Sequence, residues 1–214
     1  MVTRIVTWAT AVLLFAATLA WRFLTFTGFS NDHYVHLARA QQMRLGEWPV
    51  RDFVDPGLPL MYVVSLVGHA VGGPSLGTEF LIVAIAFAVG SVFTFLAASK
   101  LAGSIAIAFS MTLLQIAISP RTYGYPKVLL YAIAGWVIIA LAERPTGRRI
   151  VLAAMLIAIA FLFRHDHGVY IGLACAAATA LATRKEGANV VVRSVTALTA
   201  ARPSCCCRGH CSCS

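Results

Sequence analysis

Half of the chain's acidic residues fall in one stretch: of eight Asp and Glu in 214 residues, Asp32, Glu47, Asp52 and Asp55 lie between Thr27 and Gly57. A carboxylate can take a proton from a hydroxyl. It can equally favour a helix's first turn through the helix dipole, or tie the backbone amides of a turn. Asp32 follows the capping residues Ser30 and Asn31, so the first-turn role fits it; Asp52 and Asp55 sit beside turn formers, so the turn-holding role fits them. Glu47 reads as solvated. A second polar island, Arg164-His165-Asp166-His167-Gly168, interrupts two apolar runs. Its histidines flank an acid, a metal-ligand combination, but residues i and i+2 of a helix point to different sides, so one ion would require an extended turn. A polar loop is the simpler reading, and no metal site is assigned. A third island carries the cations Arg121 and Lys127 around an aromatic turn, Tyr123, Tyr125 and Pro126, suited to stack on a sugar or to sit at an interface.

The elements that must position these groups are apolar. Hydrophobic residues make up 59% of the chain and charged residues 12%, with a mean hydropathy of +0.81, whereas soluble domains carry roughly 25% charge. A soluble globular fold is excluded. The 17 Lys and Arg against 8 acids give a formal +9, but the basic residues lie between apolar runs, where they anchor helix ends and set topology rather than bind nucleic acid. Apolar runs occur at about 5–26, 58–71, 80–98, 101–118, 128–142, 150–163 and 169–183, with another starting near Asn189. The pattern predicts an all-α, polytopic transmembrane protein.

Between the first two runs, Tyr34, Leu37, Ala38 and Leu45 make an apolar stripe ending at Gly46, which predicts an amphipathic helix on the membrane surface in the first external loop. His33 and His36 on it read as interfacial polar residues. The run 58–71 is short for a span, and His69 within it marks a water-filled cavity on this reading. If that run does not cross, Lys100, the Arg144 to Arg149 cluster and the Arg184–Lys185 pair face the cytoplasm, as the positive-inside tendency favours. The Asp32 loop, Arg121 to Lys127 and Arg164 to His167 then share the non-cytoplasmic side.

From about Ala201 the composition changes to a cysteine-rich tail, with five of the six cysteines between Cys205 and Cys213. Adjacent cysteines lack the paired spacing of structural zinc sites. Alanine codons read out of frame become cysteine codons, so residues 201–214 are expected to be an aberrant end produced by frameshift or truncation, following a membrane module over 1–200. Cys175 reads as a small packing residue. No P-loop is present, and no cofactor is implied.

The segment from Phe29 to Tyr62 resembles the first external loop of the superfamily C polytopic glycosyltransferases, in particular the bacterial protein-mannosyltransferase, aminoarabinose-transferase and galacturonosyltransferase-like group. The matching features are Asp32 just beyond the first helix, Leu45-Gly46 ending the amphipathic helix, Pro49 with Asp52-Phe53 in the turn, and Pro59, Leu60 and Tyr62 opening the next run. The resemblance implies transfer of a sugar, with inversion, from a polyprenyl-phosphate carrier to a lipid, glycan or protein acceptor at the outer side of the bilayer. It implies Asp32 as the general base that takes the acceptor's proton. The lipid-phosphate leaving group then needs cations, for which Arg121, Lys127 and Arg164 are candidates. Asp52, Asp55, Asp166 and Tyr123 are candidates for substrate contacts. Some members carry a phosphate-contacting lysine where this chain has Gly57. Members usually have further helices and often a further domain, so this chain resembles their N-terminal portion.

Overall fold

A computed structural model describes residues 2–54, 57, 59–118 and 125–200, with side chains from 4 to 184. Asp55, Arg121, Tyr123 and the cysteine-rich tail 201–214 lie outside the described residues. The described chain is all-helical: α1 Val2–Leu24, α2 Asn31–Arg44, α3 Pro59–Gly72, α4 Leu76–Ala102, α5 Ile105–Ile118, α6 Tyr125–Glu143, α7 Gly147–Phe163 and α8 His165–Ala200. Three of these, α1, α4 and α6, are long and apolar enough to cross a membrane. Large apolar side chains such as Trp8, Leu24, Leu114, Leu152 and Leu173 are exposed around the bundle, as expected of a surface facing hydrocarbon.

The longest of the three, α4, is the central post. It starts at Ser75, whose hydroxyl accepts the Thr78 N–H at 3.2 Å, and stops at Gly103, whose left-handed φ of 62° closes the helix end. Small residues along it let neighbours approach: a Cβ on Gly90 would lie 3.5 Å from Leu129 Cα. Helix α1 runs antiparallel to α4, with Phe26 against Phe80, the Arg22 guanidinium 3.8 Å from the Phe87 ring centre, and Thr18 hydrogen-bonded to Ser91 at 2.9 Å. Helix α6 runs parallel to α4, since Val128 and Leu129 lie by Gly90 while Glu143 meets Lys100 at 2.7 Å. Helices α6, α7 and α8 share a core of Leu130, Leu141, Leu156, Ile171 and Cys175. The end of α1 therefore sits beside the start of α4, whereas α6 begins against the middle of α4, with Tyr125 packed on Val83 and Phe87, and α8 begins beside α6, where His167 meets Tyr131.

Helix α3 is 14 residues long, about 21 Å at helical rise, and packs antiparallel on the first turns of α4, Gly68 against Ile82 and Gly72 against Thr78. It stays in that half of the bundle, as the short run 58–71 suggests. Two expectations are corrected. The breaks around Arg184 are replaced by one 36-residue helix, α8: the sequence Thr-Arg-Lys-Glu-Gly-Ala has no proline, and its charged residues are good helix formers. The place of the α2 histidines is also different: His33 and His36, read as interfacial polar residues, are inside. His33, His36, Ala40 and Met43 are buried, while Tyr34 and Leu45 of the predicted stripe are 52% and 82% exposed. His33 bonds Ser30 through Nδ1, and His36 lies 4.0 Å from the Glu79 carboxyl.

Candidate functional site

Asp32 stands half-buried in the first turn of α2. The turn is locked from below by His33, whose Nδ1 accepts the Ser30 N–H at 3.1 Å and lies 2.8 Å from Ser30 Oγ. A histidine thus plays the part that Glu or Gln plays in a capping box, and its ring proton is left on Nε2. One turn on, His36 is driven inward. Burial pushes its pKa down to about 4 against the opposing pull of the Asp32 carboxylate, so it is neutral at pH 7. Burial also lowers His33, against the opposing pull of the Asp32 carboxylate.

Beneath His36 lies a group that local pattern does not mark. Glu79, in the first turn of α4, is 1% exposed. Ser65 Oγ–H donates to its Oε2 at 3.0 Å, and His36 Nδ1 lies 4.0 Å from the same oxygen. His69 Nε2 is 2.7 Å from Oε1, an ion-pair distance, but the oxygen is out of line with the ring N–H, so the contact is electrostatic rather than a straight hydrogen bond. His69 is therefore packed against a carboxylate rather than lining an open cavity. An acid immediately before the apolar run at Phe80, one turn after a cap, reads as an ordinary first-turn acid; the second signal was His69 in its own apolar run.

Asp52 holds a turn. The Trp48 N–H and Arg51 Nε–H both donate to its Oδ2 at 2.7 Å, and its own N–H donates to Trp48 O at 2.9 Å. The Trp48 amide, then the Arg51 guanidinium, hold its carboxyl below the ordinary range. Val50 in this turn has a φ of 71°, a left-handed conformation that the closing bonds impose on a β-branched residue.

The second island begins where α7 ends. Arg164 is extended at the α7 C-cap, and residues 165–168 are already the first turn of α8. Gly168 permits this tight reversal: a Cβ there would lie 2.7 Å from Phe161 Cβ and 2.9 Å from Phe161 N. Asp166 Oδ1 accepts the His167 N–H at 2.9 Å and lies 3.1 Å from Arg164 Nε. His167 Nδ1 shares a 3.3 Å bond with the Tyr131 hydroxyl on α6. Tyr131 and the exposed Lys127 line a groove of about 440 Å³ with Thr94, Gln115, Val128 and Ala132. Lys127, Arg164 and Asp166 are thus gathered around the starts of α6 and α8.

The two halves meet at Gly57, whose φ is 94° and where a Cβ would come 3.0 Å from His165 Nδ1. Gly57 therefore lies against the start of α8, in a left-handed conformation that disfavours any side chain there. Among the described residues no group of three or more His, Cys, Asp and Glu is arranged to hold a metal ion. Comparison with known proteins gave no match to this chain from family models, curated proteins or solved structures.

Proposed function

We propose that this chain is a multi-pass membrane glycosyltransferase that draws a sugar from a polyprenyl-phosphate carrier and passes it, with inversion, to a lipid, glycan or protein acceptor at the non-cytoplasmic face. The observation that supports the reading is the contact at Gly57: the loop that follows α2 and its Asp32 meets His165 at the start of α8, next to Arg164 and Asp166, with Lys127 on the neighbouring α6 where Tyr131 meets His167. In the proposed reaction the Asp32 carboxylate accepts the acceptor hydroxyl's proton as its oxygen attacks the anomeric carbon, and the bond to the carrier phosphate breaks. Lys127, beside an open groove, stabilises the departing phosphate, with Arg164 and Arg121 as further cations. Asp166 spends its carboxylate on Arg164 and the His167 amide, and so orients that cation. Asp52 keeps the loop between Asp32 and Gly57 closed, and Asp55 and Tyr123 are further candidates for substrate contact.

A transporter or channel would line a path with the intramembrane His69 and the polar loops, but His69 is buried against Glu79 at 2.7 Å; a second polar set, Thr18, Arg22, Ser91 and Gln115, lies within the bundle. The space between them is about 10 Å³, room for one water, and does not favour that reading. The discriminating experiment is transfer of labelled sugar from a polyprenyl-phosphate donor by the full chain in liposomes. Asp32→Asn is expected to abolish transfer while inserting normally; undiminished transfer by that variant removes Asp32 from the base role.

A further inference from the structure

The helix that carries Asp32 has little apolar surface to hold it: of its four buried residues, His33, His36, Ala40 and Met43, two are histidines. His33 closes its own N-terminus through Ser30, and His36 is the buried α2 side chain that faces α4. Opposite it sits a carboxylate that also faces Ser65 and His69. We propose that Glu79 is the positioning residue of the Asp32 site: from the first turn of α4 it gathers α3 and α2 around one side chain, and so fixes the helix carrying Asp32 to the bundle. Oε2 accepts the Ser65 hydroxyl at 3.0 Å with His36 4.0 Å away, and Oε1 faces His69 Nε2 at 2.7 Å without a straight hydrogen bond. A carboxylate as buried as this is costly without such partners, and its partners are equally costly to leave facing an apolar replacement.

Burial alone would not require Glu79 to contact two other helices; an acid serving only the α4 N-terminus would point at that helix's own amides. The geometry instead spends the side chain on α3 and α2. The link to Asp32 chemistry rests on the transferase reading, whereas the docking of α2 does not.

The test is hydrogen exchange of the full chain in lipid nanodiscs, read on peptides within residues 31–44 and without any substrate. Glu79→Leu is expected to speed exchange in α2 by about tenfold or more while the α6–α8 core keeps its protection. Glu79→Gln, which keeps an acceptor for the Ser65 hydroxyl at the same reach, is expected to restore most of that protection. Unchanged α2 exchange in Glu79→Leu, or equal loosening in both variants, overturns the assignment. Should Glu79→Leu fail to fold, His36→Leu cuts only the α2 side and is expected to loosen α2 while the α3–α4 hairpin stays protected; unchanged α2 exchange there overturns it as well. With a donor and acceptor in hand, Glu79→Leu is expected to lower kcat with the donor KM unchanged and Glu79→Gln to recover it. Loosened α2 with undiminished kcat would keep the anchor and refute its service to Asp32.

Discussion

Acidification should undock α2 through His36. In the folded chain burial holds this imidazole at about 4, against an ordinary 6.5, a gap worth about 3 kcal/mol. Between these values the undocked helix binds more protons than the docked one. The contribution is therefore fully present above about pH 6.5 and drains away as pH falls towards about 4. The titratable groups around it are Asp32 and His33 on α2 and Glu79 on α4, with His69 of α3 on the far side of Glu79. His33 is also lowered by burial and adds a slope of the same sign. Hydrogen exchange of residues 31–44, corrected for the intrinsic pH dependence of the chemistry, is expected to lose up to about a hundredfold protection between about pH 7 and about pH 4.5. His36→Gln removes the titrating ring and should flatten most of that slope, leaving the share due to His33. Protection that stays level in the wild type, or an undiminished slope in His36→Gln, would refute the burial argument.

Other substitutions probe the frame. Gly168→Ala forces a Cβ against the Phe161 backbone at under 3 Å and should destabilise the α7–α8 reversal by about 1–3 kcal/mol, seen as a lower midpoint in thermal unfolding. Thr18→Val and Ser91→Ala together should show a coupling of about 1 kcal/mol in a double-mutant cycle, because their hydroxyls meet 2.9 Å apart in a buried α1–α4 contact. Lys100→Met should change stability by less than about 1 kcal/mol despite its 2.7 Å contact with Glu143, since both ends reach solvent. A reporter fused after Gly147 should remain cytoplasmic, and its export would reverse the proposed orientation.

Where a helix forms was largely readable from the sequence, because apolar runs bounded by Gly, Pro and charge are local signals. The seven apolar runs have their helices in α1 and in α3 to α8, and the end of α2 at Gly46 follows from glycine's access to positive φ, whereas the break at Gly103 falls inside the run read at 101–118. What was not readable depends on partners distant in sequence. The packed face of α2 follows from Glu79, 43 positions beyond His36, and no helical periodicity within residues 31–44 carries that information. Glu79 itself is masked by its ordinary place after a Ser75 cap. Asp52 was half legible: its position among turn formers suggests a turn, while the engagement of both Trp48 and Arg51 needed coordinates. Arg184 and Lys185 misled in the other direction, since a charged pair between apolar runs marks a topological boundary without requiring a helix break.

The most direct test of the transferase proposal is one turnover measurement: the full chain in sealed liposomes, a polyprenyl-phosphate donor carrying labelled sugar, and a mixed panel of lipid, glycan and peptide acceptors outside. Appearance of label on an acceptor with release of polyprenyl phosphate, lost in Asp32→Asn, is the predicted result. Sugar crossing the membrane with the donor absent, or acceptor labelling equal in wild type and Asp32→Asn, would contradict it.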